Sequence, residues 1–114
     1  MATLGELERS IMELLWAADE TLSAYDLQDE LADRKLASTT ILTVLSRLEN
    51  KGFVTRSRDA RPHRYRAAAT REEHMADLMH EVLGGASDRT AVLERFVGQV
   101  SAEEAQTLRR LLGG

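Results

Sequence analysis

The sequence contains no cysteine and a single proline, Pro62. The absence of thiols excludes disulfide bonds, thiol catalysis and the cysteine-based zinc sites. It fits a reducing compartment. Aromatic residues are also scarce, so few large side chains are available to anchor a core: Trp16, Tyr25, Phe53, Tyr65 and Phe96.

Long apolar segments are missing as well, because no run approaches the roughly 20 residues that cross a membrane. The first residues lack the basic and apolar regions of a signal peptide. We therefore expect a soluble, cytoplasmic protein. The length of 114 residues predicts one domain, with room for a small appendage.

Charge is unevenly distributed, although the net charge is only −4. Residues 5–33 carry nine acidic side chains and one basic one, a net charge of −8. Residues 47–66 carry seven basic side chains and two acidic ones, a net charge of +5. Because a local basic stripe binds phosphates even on an acidic protein, residues 47–66 are a candidate nucleic-acid surface.

The segment Leu36–Asn50 has the pattern of an amphipathic helix, with Ser38 as the predicted N-cap and Lys51-Gly52 as the stop. At about 100° per residue, one apolar stripe must face a core. The stripe consists of Ile41, Val44, Leu45 and Leu48. The opposite face carries hydroxyls, an amide and an arginine, but no acid: Thr39, Thr40, Thr43, Ser46, Arg47 and Asn50.

Short hydroxyl side chains that also carry methyl groups fit base edges and thymine methyls in a major groove. An ordinary solvent-exposed helix that is rich in threonine would show the same pattern. The segment that follows the helix therefore has to decide between a DNA-binding surface and an ordinary one. Leu42 lies at the edge of the polar face. It either meets a thymine methyl or packs on a neighbour, and packing is the favoured interpretation.

Two shorter helices are predicted before this one. The first, about Gly5–Ala17, repeats apolar residues at helical spacing. Thr21–Ser23 is a candidate short strand, and Ser23 with Asp26 forms a weak capping box for a second helix that ends near residues 33–35. Two helices joined by a few residues, the second presenting small polar groups, are typical of a helix-turn-helix.

The period changes after Gly52. Residues 53–58 and 63–67 predict two strands joined by a turn at 59–62. The helices and the hairpin together predict a winged helix, mainly α with a small β-hairpin, in which hydroxyls touch bases and basic residues neutralise phosphates. The candidate DNA-binding residues are Ser38, Thr39, Thr40, Thr43, Ser46, Arg47, Lys51, Arg56, Arg58, Arg61, His63 and Arg64, with Arg66 completing the basic hairpin.

Three more helices are predicted in the tail. Thr70–Glu73 and Ser101–Glu104 have the pattern of capping boxes, Gly84-Gly85 ends the first helix, and Ser87 or Asp88 begins the second. These helices carry more apolar surface than a short subdomain can hide, which indicates a homodimer on a twofold operator. The candidate dimerisation residues are Met75, Leu78, Met79, Val82, Leu93, Phe96, Val97, Leu108 and Leu111.

Candidate chemistry is sparse. His74, Asp77 and Glu81 have a spacing that can hold a metal on one helix, with His80 off that line. Because there is no second cluster of ligands, a solvated face is the favoured interpretation, and neither a metal nor another cofactor is predicted. No arrangement suggests a nucleophile beside a base, so no enzymatic activity is predicted.

Several segments resemble the penicillinase-repressor family of the BlaI/MecI type. They are Leu7–Met12 with Leu15-Trp16, then Thr39–Gly52, then Val54, Arg56, Arg61 and Tyr65. The likeness covers nearly the whole chain. It implies a dimeric repressor of transcription that binds a palindromic operator, with a winged helix at 1–69 and a helical dimerisation region at 70–114. Family targets include β-lactamase genes and their sensor genes.

The resemblance also implies induction by proteolysis, triggered by a membrane-bound sensor protease. The matching bond is Arg95–Phe96, where arginine stands in place of the asparagine of the staphylococcal-type pattern. The copper-responsive branch carries a cysteine cluster in its tail, and this chain has none. Two alternatives stay open: a winged-helix module that binds proteins through its acidic first helices, and a regulator that senses a small molecule between dimer helices.

Overall fold

Ten short elements follow one another along residues 4–113, which are the residues that the computed structural model describes. The first part runs α1 (Glu6–Ala17), β1 (Leu22–Ser23), α2 (Ala24–Glu30), a 3₁₀ turn (Ala32–Arg34), α3 (Ser38–Asn50), β2 (Val54–Ser57) and β3 (Arg64–Ala67). The tail runs α4 (Arg71–Gly84), α5 (Arg89–Val97) and α6 (Ala102–Leu111). The predicted class, mainly α with a small sheet in a winged helix, is confirmed.

The core lies between α1, α2, α3 and the sheet. The predicted stripe of α3 is buried as expected, with none of its four residues more than 6% exposed. The rest of the core comes mainly from α1, α2 and the two longer strands: Ile11, Met12, Leu15, Leu27, Leu31, Val54 and Tyr65. The stripe therefore fixes which side of α3 points outward.

The sheet has three antiparallel strands in the order β1-β3-β2. Leu22 pairs with Tyr65 and Ser23 with Arg64, so the candidate strand at Thr21–Ser23 forms as the two residues Leu22–Ser23. Pairing of β2 with β3 ends at Ser57 and Arg64. The predicted strands are therefore slightly too long, and the six residues 58–63 form the tip of the wing.

Helix caps follow the sequence pattern at α2 but not at α3. The Ser23 box is present, since the Ser23 N–H donates to Asp26 Oδ2 (2.9 Å) and the Asp26 N–H donates to Ser23 Oγ (3.1 Å). The prediction that Ser38 caps α3 is wrong. Ala37 is the N-cap, because its backbone is extended and its carbonyl accepts the first helical hydrogen bonds, from Thr40 and Ile41. Ser38 is thereby left exposed on the first turn.

The second helix also ends earlier than predicted, at Glu30 instead of residues 33–35. A 3₁₀ turn at Ala32–Arg34 takes over, and Lys35 reverses the chain in the left-handed region at a φ of 52°. The Gln28 side-chain amide of α2 donates to the Leu36 carbonyl at 3.0 Å, which ties α2 to the segment just before α3. The turn of the helix-turn-helix is thus a compact and hydrogen-bonded segment.

An aromatic cluster fastens the first turns of α4 to the winged helix. The His74 ring is buried between Trp16 and Phe53, with centroid distances of 5.3 and 5.2 Å. The Trp16 Nε1–H donates to the Ala69 carbonyl at 3.0 Å, and Arg71 stacks over Trp16 while it pairs with Glu13. The interpretation of His74 as part of a solvated face is therefore wrong.

The tail forms its own compact unit, which begins at Asp77. The winged-helix unit ends at Ala76, since the first turns of α4 belong to it. Asp88 caps α5, and Ser101 forms a full capping box with Glu104. At Thr70 only half of the predicted box forms: the Glu73 N–H donates to Thr70 Oγ1, while the Glu73 carboxylate accepts from the Thr70 hydroxyl and not from its backbone N–H. Among residues 77–113 none is buried, so this unit has no closed core within one chain. Nor is any helix within residues 4–113 long and apolar enough to cross a bilayer.

Candidate nucleic-acid interface

The outer face of α3 is polar and open to solvent. All of its predicted contact residues are exposed: Ser38, Thr39, Thr40, Thr43, Ser46 and Arg47. Burial of the apolar stripe on the other side holds this face outward. The helix therefore presents a row of hydroxyls and one guanidinium on a rigid support, which is the chemistry that reads base edges.

The hydroxyls of this face differ in what they can offer. The Thr43 hydroxyl donates to the Thr39 carbonyl at 2.8 Å, so its proton is used within the helix. Thr43 can then offer a ligand an acceptor oxygen and a methyl group, but no donor. Within residues 4–113 the Thr39 and Thr40 hydroxyls form no hydrogen bond, so these two can donate or accept.

The wing tip lies beside the first half of α3. A groove of about 210 Å³ is lined by α2, α3 and the tip, through Ala24, Tyr25, Ser38, Leu42, Arg61, Pro62, His63 and Tyr65. The structure thereby brings Ser38, Arg61 and His63 together. Tyr25 was not among the predicted contact residues, because the few aromatic residues were expected to anchor the core. Tyr25 is instead 63% exposed.

Lys51 is engaged inside the fold. Its Nζ lies 2.8 Å from Glu8 Oε2 and 3.0 Å from Glu8 Oε1, and Glu8 is 8% exposed. The hydrogen bond from Lys51 and that from the Gly5 N–H hold the pKa of Glu8 below its ordinary value, against the opposing effect of burial. Lys51 thus ties the end of α3 to α1, and its predicted phosphate contact stays a prediction with a competing partner.

The basic residues of the wing point to two sides. Arg56 pairs across the strands with the buried Tyr65, so both project from the core face. Arg64 and Arg66 project from the other face, because successive residues of a strand alternate. Arg64 Nε donates to Thr21 Oγ1 at 2.9 Å, which fastens β3 to the start of the helix-turn-helix. The basic side chains of the hairpin strands therefore do not all lie on one face.

A carboxylate of α3 holds two wing arginines. Glu49 Oε1 lies 3.5 Å from Arg56 Nη2, and Glu49 Oε2 lies 3.5 Å from Arg58 Nη2. The Arg56 side chain is 22% exposed and that of Arg58 is 68% exposed, so only Arg58 is free to turn toward a ligand. Glu49 is a site residue that the sequence did not reveal, because Arg56 and Arg58 follow the end of α3 and sequence spacing alone does not predict their contact with it.

Two arginines of the candidate interface lie outside the salt bridges of the described residues, although the charge of Arg47 helps to lower the pKa of Glu8. Arg47 on α3 and Arg61 at the wing tip are exposed and form no ion pair within residues 4–113. His63 is half-buried, with Nδ1 at 3.1 Å from the Ser57 carbonyl oxygen. Arg47 and Arg61 are therefore the guanidiniums best placed to bind phosphate without first losing an internal partner.

The predicted dimerisation residues are largely exposed. Met75, Met79 and Val82 of α4 are 56%, 58% and 75% exposed, and Phe96 of α5 is 44% exposed. Leu93, Val97 and Leu111 are exposed as well, while Leu78 and Leu108 are half-buried.

Arg95 and Phe96 lie inside α5, so the bond implied as a cleavage site is helical. No group of three metal-ligating side chains occurs in the described part of the chain.

Comparison with known proteins gives one consistent result. A family model described as "Penicillinase repressor" matches residues 4–114. Two proteins named transcriptional regulator BlaI, from two strains of Mycobacterium tuberculosis, are 42% identical over 116 residues, which cover 98% of this chain and 84% of theirs. A MarR family protein from Bacillus stearothermophilus has a similar fold, with a TM-score of 0.54 at 21% identity over 97% of this chain and 71% of that one.

Proposed function

The chain belongs to the penicillinase repressor family, and on that premise we propose that two copies of this winged-helix transcriptional repressor bind one palindromic operator. Repression then needs no catalysis, since a bound dimer blocks transcription by occupancy. In this arrangement α3 recognises the bases, and both α3 and the wing contact the phosphate backbone of the DNA.

The observation that carries the proposal is the shared groove of the wing tip and α3. Ser38 and Arg61 line the same groove, and the hydroxyls of Thr39 and Thr40 stand on the exposed face that begins there. With α3 in a major groove, the hydroxyls meet base edges while Arg61 reaches the flanking phosphates. Arg47 provides a second phosphate contact. Lys51 and Arg64 also support the fold, because Lys51 pairs with Glu8 and Arg64 with Asp26, so a phosphate contact by either has to compete with these partners.

A second copy supplies the partner of the tail. The unit that begins at Asp77 buries no residue by itself, although Phe96, Met79 and Val82 carry large apolar surfaces. Apolar surface removed from water contributes about 25 cal/mol per Å², so two such units gain by burying it against each other. A twofold dimer also matches a twofold operator. These points support the homodimer, with β-lactamase or other antibiotic-response genes as proposed targets.

Control by a membrane-bound sensor protease is part of this proposal. The Arg95–Phe96 bond lies within α5, and both side chains are exposed. A protease cleft takes an extended peptide, so the helix must unwind before cleavage. Release from the operator would then follow from the loss of the dimer contact at Phe96. Mass spectrometry of the chain after exposure to the sensor protease tests this step directly.

The function is tested by fluorescence anisotropy with a DNA duplex selected from a random library by the wild-type protein. Arg47 and Arg61 from two copies predict at least four phosphate contacts, and hence a slope of log affinity against log salt of about −4 or steeper. The double variant Arg47→Ala/Arg61→Ala should flatten the slope, whereas Arg9→Ala on α1 should not. An affinity independent of salt, or equal losses in all variants, would contradict the proposal.

A further inference from the structure

One apolar residue stands on the otherwise polar side of α3. Leu42 is 46% exposed. Its neighbours along this side of the helix are Ser38, one turn before it, and Ser46, one turn after it. Packing on a neighbour was the favoured interpretation of the sequence, but nearly half of the Leu42 side chain is open to solvent. It lines the groove at the wing tip together with Tyr25 and Pro62.

The groove is lined by both apolar and polar side chains. Its volume of about 210 Å³ is several times the roughly 30 Å³ that one water molecule occupies, so it can admit a small apolar group and its surroundings. Leu42, Tyr25 and Pro62 supply its apolar surface. The exposed Arg61 and Ser38 add a guanidinium and a hydroxyl to the same lining, which matches a ligand that carries negative charge beside an apolar group.

The thymine methyl fits this description. It is the only apolar group that a base pair offers in the major groove, and it stands next to the hydrogen-bonding edges that α3 faces. Because helical side chains lean toward the helix N-terminus, Leu42 covers the turn that begins at Ser38, on the same side as the wing tip. A protein ligand with an apolar side chain would have no use for the neighbouring row of free hydroxyls.

We propose that Leu42, together with Tyr25, forms a pocket for one thymine methyl in each operator half-site and thereby contributes to sequence specificity. The inference rests on the proposed function and deepens it, because it assigns a base type to one part of the interface. A buried methyl contributes about fourfold in affinity. Both half-sites together should therefore contribute on the order of tenfold.

The test is a thymine-to-uracil scan of the selected duplex, since deoxyuridine removes only the methyl. Each thymine is replaced symmetrically in both half-sites, and binding of the full-length wild type is compared with that of Leu42→Ala. One position should cost the wild type about tenfold and cost Leu42→Ala almost nothing. Leu42→Met keeps an apolar side chain of similar volume, so it should retain most of the penalty.

The possible outcomes distinguish failure of the thymine-methyl pocket from failure of the proposed repressor function. If the wild type binds but no thymine is coupled to Leu42, or if the selected sequence has no thymine in its major-groove core, the pocket assignment is overturned and the repressor proposal stands. Equal uracil penalties in the wild type and Leu42→Ala also overturn it. If the wild type selects no duplex, the proposed function fails and takes the inference with it. Circular dichroism of Leu42→Ala should show an intact fold, because the residue is not part of the core.

Discussion

Replacing Lys51 by methionine should destabilise the winged helix by about 2 kcal/mol. The change removes the cation from a carboxylate that is almost fully buried, because the side chain of Glu8 is 11% exposed and that of Lys51 is 30% exposed. Breaking a fully buried pair costs about 3–5 kcal/mol, whereas exposed pairs contribute about 0–1 kcal/mol. The partial exposure of Lys51 places the expected loss between these limits.

The matched variant is Glu8→Gln, which should cost less, about 1 kcal/mol. Its amide oxygen can still accept the Gly5 N–H, and the freed ammonium of Lys51 can turn to water. Urea unfolding followed by circular dichroism, at one fixed chain concentration, measures both losses. The reasoning is refuted if Glu8→Gln is as destabilising as Lys51→Met or more so, since the buried carboxylate would then not be the costly group.

The same pair predicts a pH dependence with a definite sign. The pKa of Glu8 is held below its ordinary value of 4.5, first by the hydrogen bond from Lys51 and then by that from Gly5. The stabilisation is therefore complete above pH 4.5 and is lost as the pH falls through the folded-state pKa. Glu8→Gln lacks this titration, so its deficit relative to the wild type should narrow in acid. A deficit that stays constant down to acid unfolding would contradict the assignment.

Three further changes test the interface. Thr39→Val should weaken binding to the selected duplex several-fold more than Thr43→Val, because the Thr43 proton is already donated within the helix; anisotropy measures both, and equal losses would contradict this reading. Glu49→Gln should free Arg58 for phosphate and steepen the salt slope by about one per copy, and an unchanged slope would show that Arg58 stays away from DNA. Phe96→Asp should give monomers in sedimentation experiments, since it places charge on the exposed apolar face of the tail; a surviving dimer would locate the contact elsewhere.

Much of the winged helix could be predicted because its signals are local. The buried stripe of α3 follows from helical spacing, and the boxes at Ser23 and Ser101 follow from residues three positions apart. The cap at Ala37 was missed because its role depends on backbone conformation and not on a side chain. Sequence patterns place a serine at the N-cap, but here Ser38 is the first helical residue, one position after the N-cap.

The candidate site was less predictable, because charge along a chain does not reveal charge pairing in space. Lys51 and Arg64 each bind a group 43 residues earlier in the sequence, and both were predicted to be free for phosphate. His74 similarly resembled a surface residue by composition, yet it packs on Trp16 and Phe53 from distant segments. Only the contacts distinguish a cation that supports the fold from one that can meet DNA.

The absence of any buried residue in 77–113 has a consequence for how repression depends on protein concentration. In the proposed homodimer, the apolar surface of the tail is covered only by a second chain, so assembly depends on the concentration of the chain. At concentrations well below the dissociation constant, the concentration of such a dimer varies with the square of the chain concentration. A modest drop in synthesis or a modest rise in degradation would then lower occupancy of the proposed operator disproportionately.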